Sequence, residues 1–291
     1  MRAQLVPRTL TTDDGATIAY YDTGGALPAI VLANGLGGPI AAWKHQIDYL
    51  SDRYRFISWD YRGLYSSPRP PGDKPALGIR THARDLEAVL AVTGVERAAL
   101  VGWSMGVQVL LELYEVHPER ASHLVLINGT YGRPFTTVAL PLIAGHIPQL
   151  VRRARSLKDL GKRLIKRASV QPETLPWLKR LGLVGATLDD EVFAEIAEQF
   201  ANLDLTTYLT ILEELGSHDA SRVLDTVDVP ALVIAGERDL FTPKQVAQQM
   251  ARRIRGGEIL IVRGASHYAA IEYPELVNLR IEKFLREHDY G

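Results

Sequence analysis

Apolar residues in the first part of the chain follow two rhythms. Short continuous runs, Ala29-Ile30-Val31-Leu32-Ala33, Ala98-Ala99-Leu100-Val101 and Leu124-Val125-Leu126-Ile127, predict strands buried on both faces of a parallel sheet. Thr17-Ile18-Ala19-Tyr20-Tyr21, closed by the Gly24-Gly25 turn signal, and Arg55-Phe56-Ile57-Ser58-Trp59 predict two more. Between the strands the spacing turns helical, around 41–50 and 79–92, with Leu86, Val89 and Leu90 on one face of the second helix. Val107, Leu110, Leu111 and Tyr114 then form an i, i+3, i+4, i+7 stripe. Strands alternating with helices imply βαβ units.

The alternation stops after Asn128-Gly129. From Gly132 to Asp228, 97 residues show helical periods, frequent helix breakers and no strand pattern. It resumes with Ala231-Leu232-Val233-Ile234-Ala235, a helix near 243–255, a strand at 258–262 and a helix near 274–287. Tandem domains would leave each half-sheet with a raw edge, so a helical insert in one sheet is the simpler organisation. The expected division is a core of 1–131 and 229–291 with a helical cap of 132–228.

At 291 residues, 46% apolar and 23% charged, the chain reads as globular, without the composition of disorder. Thirty-three Lys and Arg against 34 Asp and Glu leave a net charge of −1, so no general basic excess invites nucleic acid. The absence of cysteine removes disulfides, thiolate metal sites and cysteine nucleophiles together. Residues 1–8 lack the apolar core of a signal peptide. The stretch Phe135–Val151 is interrupted by Pro141, His146, Pro148 and Gln149, too broken for a membrane span. A cytoplasmic soluble protein is the expectation.

Charge within the insert is uneven. Residues 132–180 carry eleven Arg and Lys against Asp159 and Glu173, whereas 181–228 carry eleven acids against Arg222 alone. The basic stretch running from Arg152 to Arg167 reads first as a cap helix with a solvated basic side. Contact with a membrane surface, attraction of an acidic substrate and pairing with the acidic half of the insert are the alternatives.

Gly102-Trp103-Ser104-Met105-Gly106 lies between a buried strand and an amphipathic helix. In that setting Gly-x-Ser-x-Gly forms a sharp turn that pushes the serine hydroxyl into a cleft, with helix N-terminal N–H groups beside it. A serine needs a general base, and the base needs an orienting acid. Asp239, in Gly236-Glu237-Arg238-Asp239, and His267, in Gly264-Ala265-Ser266-His267, each follow a predicted strand, at the sheet edge where open α/β folds place their crevice. Glu237 is the competing acid. His45, His82, His117, His123, His146, His218 and His288 fall on predicted helices, surfaces or the insert, where a lone histidine is usually structural.

Gly102–Gly106, Gly236-x-x-Asp239 with Pro243 after it, and His267 followed by Glu272-Tyr273-Pro274-Glu275 together resemble the capped serine hydrolases of the α/β-hydrolase fold superfamily. The resemblance covers nearly the whole chain. It implies an α/β fold with a mostly parallel central sheet flanked by helices, and a helical cap inserted after the sixth strand. Asn34-Gly35-Leu36-Gly37-Gly38 looks like the family's oxyanion loop, with Asn34 where His is usual. By that resemblance the N–H groups of Leu36 and Met105 hold the oxyanion. A dinucleotide loop fits poorly, because Ile40 stands where its third small residue should be.

Asp60-Tyr61-Arg62-Gly63 resembles a structural stretch of the family, with Tyr65 where many relatives have glycine. Epoxide hydrolases and haloalkane dehalogenases of this fold carry aspartate at the nucleophile position, whereas this chain has Ser104. The resemblance therefore implies an esterase working through an acyl-serine, without cofactor or metal, on a small-molecule ester with an apolar acyl part. Thioesters and lactones stay within its reach. Acyl transfer, carbon–carbon bond hydrolysis, perhydrolysis, lyase chemistry and a receptor with little turnover are the alternatives, since fold does not fix function.

Overall fold

A computed structural model describes residues 5–137 and 174–291. Eight strands form one sheet in the order β1-β2-β4-β3-β5-β6-β7-β8. They are β1 (Arg8–Thr11), β2 (Thr17–Asp22), β3 (Ala29–Ala33), β4 (Arg55–Trp59), β5 (Ala98–Trp103), β6 (Ala121–Ile127), β7 (Ala231–Gly236) and β8 (Glu258–Val262). β1 pairs antiparallel with β2, and β2 with β4; every other pairing is parallel.

The continuous apolar runs are the inner strands, and every residue of β3, β5, β6 and β7 is buried. Alternate side chains serve opposite faces. Val31, Leu100, Leu124 and Val233 join helices Ile79–Thr93, Met105–Val116 and Lys244–Arg253 on one side. Ile30, Val101, Val125 and Leu232 join the helix Pro274–Glu287 on the other. Two details depart from the predicted pattern. β1 is a mostly exposed polar strand, too short to show a period, and the predicted helix at 41–50 begins as a 3-10 turn, Ile40–Trp43, before the α-helix Lys44–Leu50.

Chain direction does the positioning. β3, β5, β6, β7 and β8 run parallel, so the loops after them open at one edge. The helical cap departs after β6. Its entry and exit lie side by side, with Gly132 bridged to Asp219 and Ala220 N–H donating to the Tyr131 carbonyl at 2.8 Å. The described cap helices are Pro134–Thr137, Thr174–Arg180, Asp190–Ala201 and Leu205–Ser217. Asp189 caps the third, accepting from the N–H groups of Glu191 and Val192. Val192 and Ile196 from that helix, and Ile211 and Leu215 from the next, are buried against the core. The basic stretch from Arg152 to Arg167 lies outside the described residues. No helix among those described is long and apolar enough to cross a membrane.

Candidate active site

β5 ends at Trp103 and the next helix starts at Met105, which leaves Ser104 alone on the turn. Its backbone sits at φ 55°, ψ −115°, a sparsely populated region that costs ~1–3 kcal/mol and persists only where the surroundings enforce it. Two glycines make the turn possible. A Cβ on Gly102 would stand 2.9 Å from the Gly106 carbonyl, and one on Gly106 would collide with the Ala33 carbonyl. Ser104 N–H donates to Ile127 O at 3.0 Å, tying the turn to β6.

Residues far apart in the chain meet at this hydroxyl. The Nε2 atom of His267 lies 2.9 Å from Ser104 Oγ, and its Nδ1 lies 2.8 Å from Asp239 Oδ2. Histidine and aspartate are 8% and 4% exposed, so the relay is largely shielded from water. Glu237 faces elsewhere, accepting from Gly264 N–H at 3.1 Å with Lys244 beyond.

Asp239 sits in a nest of donors. Oδ1 accepts from the N–H groups of Phe241 and Thr242 at 2.8 and 2.9 Å. Oδ2 accepts from the Thr242 hydroxyl at 2.6 Å and from Asn128 Nδ2 at 2.8 Å, besides facing the His267 ring. Burial alone would raise this carboxyl; the His267 ring and the Thr242 donors outweigh it and hold it below the ordinary range. An anion here requires Nδ1 to carry the histidine proton, leaving Nε2 free to accept from Ser104.

The loop after β3 is pinned from several sides. Asn34 Nδ2 donates to the Trp59 carbonyl at 2.9 Å, and its Oδ1 accepts from Trp43 Nε1 at 2.8 Å. Tyr65, at φ 50°, donates its hydroxyl to the Gly37 carbonyl at 2.5 Å. The Trp103 ring underlies Gly35 and Gly38, and Trp103 Nε1 donates to the His267 carbonyl at 3.0 Å. Leu36 N–H meets no acceptor among the described residues. Met105 opens its helix, where first-turn N–H groups have no carbonyl one turn earlier.

Asp60 and Arg62 stay out of this relay. Asp60 accepts from the Tyr21 hydroxyl and Ser66 N–H, while Arg62 pairs with Asp85 and Asp14.

Sequence reasoning missed Asn128. It is 1% exposed, stands at φ 45°, and bridges Asp239 and the Ser266 carbonyl. The available signal was an amide side chain directly after a buried strand, at the crevice edge, in an Asn-Gly pair whose asparagine tolerates positive φ. Thr242 was missed as well, although its partner Asp239 lies only three residues before it. Among the described residues no cluster of His, Asp and Glu is arranged to hold a metal ion.

A family model described as the alpha/beta hydrolase fold matches residues 28–274. A 2-hydroxy-6-oxononadienedioate/2-hydroxy-6-oxononatrienedioate hydrolase from Paraburkholderia phymatum is 30% identical over 277 residues, 92% of this chain and 90% of that one. A relative from Azorhizobium caulinodans, named for a presumed carbamate hydrolase activity (RutD), is 28% identical over 93% of this chain and 96% of its own. The crystal structure of the enol-lactonase from Burkholderia xenovorans LB400 superposes with a TM-score of 0.77. It covers 96% of this chain and 100% of that one at 24% identity, a likeness of fold.

Proposed function

The chain belongs to the alpha/beta hydrolase fold family, and from that premise we propose that it is a serine hydrolase of small carboxylic esters, with thioesters and lactones as neighbouring substrates. The observation that carries this reading is the unbroken relay Ser104 Oγ–His267–Asp239, at 2.9 and 2.8 Å.

His267 Nε2 takes the proton of Ser104 as Oγ attacks the acyl carbon. Asp239 holds the ring in the Nδ1–H tautomer and stabilises the imidazolium that forms. The N–H groups of Leu36 and Met105 receive the oxyanion, a contribution typically worth ~10²–10³ in turnover per donor. His267 then protonates the leaving alcohol and activates the water that releases the acid. No step calls for a metal or an organic cofactor.

Residues 132–228 act as the cap over a core of 1–131 and 229–291, and the acyl part of the substrate is mainly apolar. Phe241 standing edge-on to the His267 ring, Tyr268 beside it and Phe193 against Tyr268 favour such a partner. The names of the relatives favour a second reading, carbon–carbon bond hydrolysis of an oxo-dienoate by the same relay.

The test is turnover of p-nitrophenyl esters from acetate to palmitate, beside Ser104→Ala. Activity lost in the variant supports the ester reading. Its survival there sinks it, and silence towards every ester moves the reading to the carbon–carbon substrate.

A further inference from the structure

Glu272 is a buried carboxylate that the relay does not use, only 3% exposed at the end of the short helix Ala269–Glu272. Its two oxygens receive donors from separate parts of the molecule. Oε2 accepts from Ser266 N–H at 2.7 Å, and Oε1 accepts from the Ser266 hydroxyl and from Gly185 N–H at 2.5 Å. Ser266 precedes His267. Gly185 belongs to the cap turn between the helices Thr174–Arg180 and Asp190–Ala201.

That turn is seated in the core. Val184 and Leu188 are 3% and 4% exposed, in the same apolar cluster as Trp103, Ala269 and Ile271. Gly185 has no room for a side chain, since a Cβ there would stand 2.6 Å from the Glu272 carboxyl carbon. The histidine loop is held on its other side by Trp103 Nε1 and Asn128 Nδ2, which donate to the carbonyls of His267 and Ser266. Among the described residues, Glu272 therefore supplies the hydrogen-bonded hold on this loop that also grips the cap, beside the ring contact of Phe193 with Tyr268.

Building on the serine-hydrolase reading, we infer that Glu272 is a positioning residue: it sets His267 against Ser104 only while the cap turn at Gly185 is seated on it. A glutamine cannot serve the same donors, because its NH₂ would face one of them with a second donor and leave that group unsatisfied.

The test measures kcat and KM per titrated serine, counting active sites by stoichiometric nitrophenolate release from diethyl p-nitrophenyl phosphate. Titration removes misfolded enzyme from the comparison. Glu272→Gln and Gly185→Ala are expected each to lower kcat per site by about 10–100-fold, the worth of a charged hydrogen bond, with KM little changed. The double variant should be no worse than the poorer single, because both break one contact. Ser266→Ala, which keeps the backbone donor, should lose less than Glu272→Gln.

Unchanged kcat per titrated site in both single variants, even with a lowered Tm, overturns the inference, as do losses that multiply in the double. A different outcome removes the reading underneath: no stoichiometric release by wild type, or the same release by Ser104→Ala.

Discussion

Two buried aspartates follow strands of the same sheet and have their carboxyls shifted in opposite directions. Asp239, after β7, is 4% exposed and faces two backbone N–H groups, a hydroxyl, an amide and an imidazole. Its carboxyl is held below the ordinary range. Asp60, after β4, is 1% exposed, but only Oδ2 is served, by the Tyr21 hydroxyl and Ser66 N–H, and Oδ1 meets no donor among the described residues. Burial pushes its carboxyl up to about 6, with those donors pulling against the rise. Desolvation acts on both, so the histidine ring and the supply of donors decide which carboxyl ionises easily and which only near neutral pH. A histidine relay needs a permanent anion. A loop brace such as Asp60 does not.

The most severe way to break the comparison is Asp239→Asn, which keeps the shape and removes the charge. Turnover should fall by about 10⁴-fold through loss of the required tautomer, measured as kcat on a p-nitrophenyl ester with folding checked by circular dichroism. A loss below tenfold would mean that the donor nest serves stability rather than catalysis.

Asp60→Asn should leave turnover within a few-fold and change the pH dependence of stability instead. A carboxyl raised from 3.8 to about 6 on folding contributes its full stability below the unfolded value and loses it as pH rises through 6. Urea unfolding of wild type and variant at pH 4 and pH 7.5 should show the variant gaining about 2 kcal/mol relative to wild type. Parallel profiles would mean that Asp60 is ionised at little cost.

Asn128→Ala removes one donor from Asp239 and the hold on the Ser266 carbonyl. A hydrogen bond to a charged group is worth about 1.5–3 kcal/mol, so kcat should drop by roughly 10–100-fold. Asp239 should also need a higher pH to stay ionised, which would move the acid loss of stability upward. An unmoved acid unfolding midpoint would exclude Asn128 as a contributor to the anion.

The smallest effect belongs to Asp14, whose carboxyl the Arg62 guanidinium lowers to about 2. Half-exposed, it should contribute about 0–1 kcal/mol to stability, present above 3.8 and lost as pH falls through 2. Asp14→Asn should be nearly silent at pH 7, because Arg62 keeps Asp85. A large loss in thermal melting would show that the bridge is worth more than its exposure suggests.

Much of the architecture was legible in the chain because buried parallel strands announce themselves as unbroken apolar runs. Ala29–Ala33 and Leu124–Ile127 are such runs, and both lie within the strands found there. β1 was not legible: three of its four residues are polar and exposed, Leu10 alone is half-buried, and backbone pairing to β2 makes them a strand. At the site, Gly102–Gly106 could be read because a strained turn restricts residue types locally. The roles of Asn128 and Glu272 could not, since each works through partners on other segments, and Thr242 serves Asp239 from three residues away with no distinguishing pattern. Asn128 meets Asp239 across 111 positions, and Glu272 meets Gly185 across 87.

The central claim is that the ester bond breaks through a covalent acyl group on Ser104. Acid-quenched intact-mass and peptide mass spectrometry, during turnover of a p-nitrophenyl ester, tests it directly. An acyl adduct is expected on the peptide containing Ser104, building up before steady state and absent from Ser104→Ala. Turnover with no adduct, or with an adduct on another residue, would contradict it.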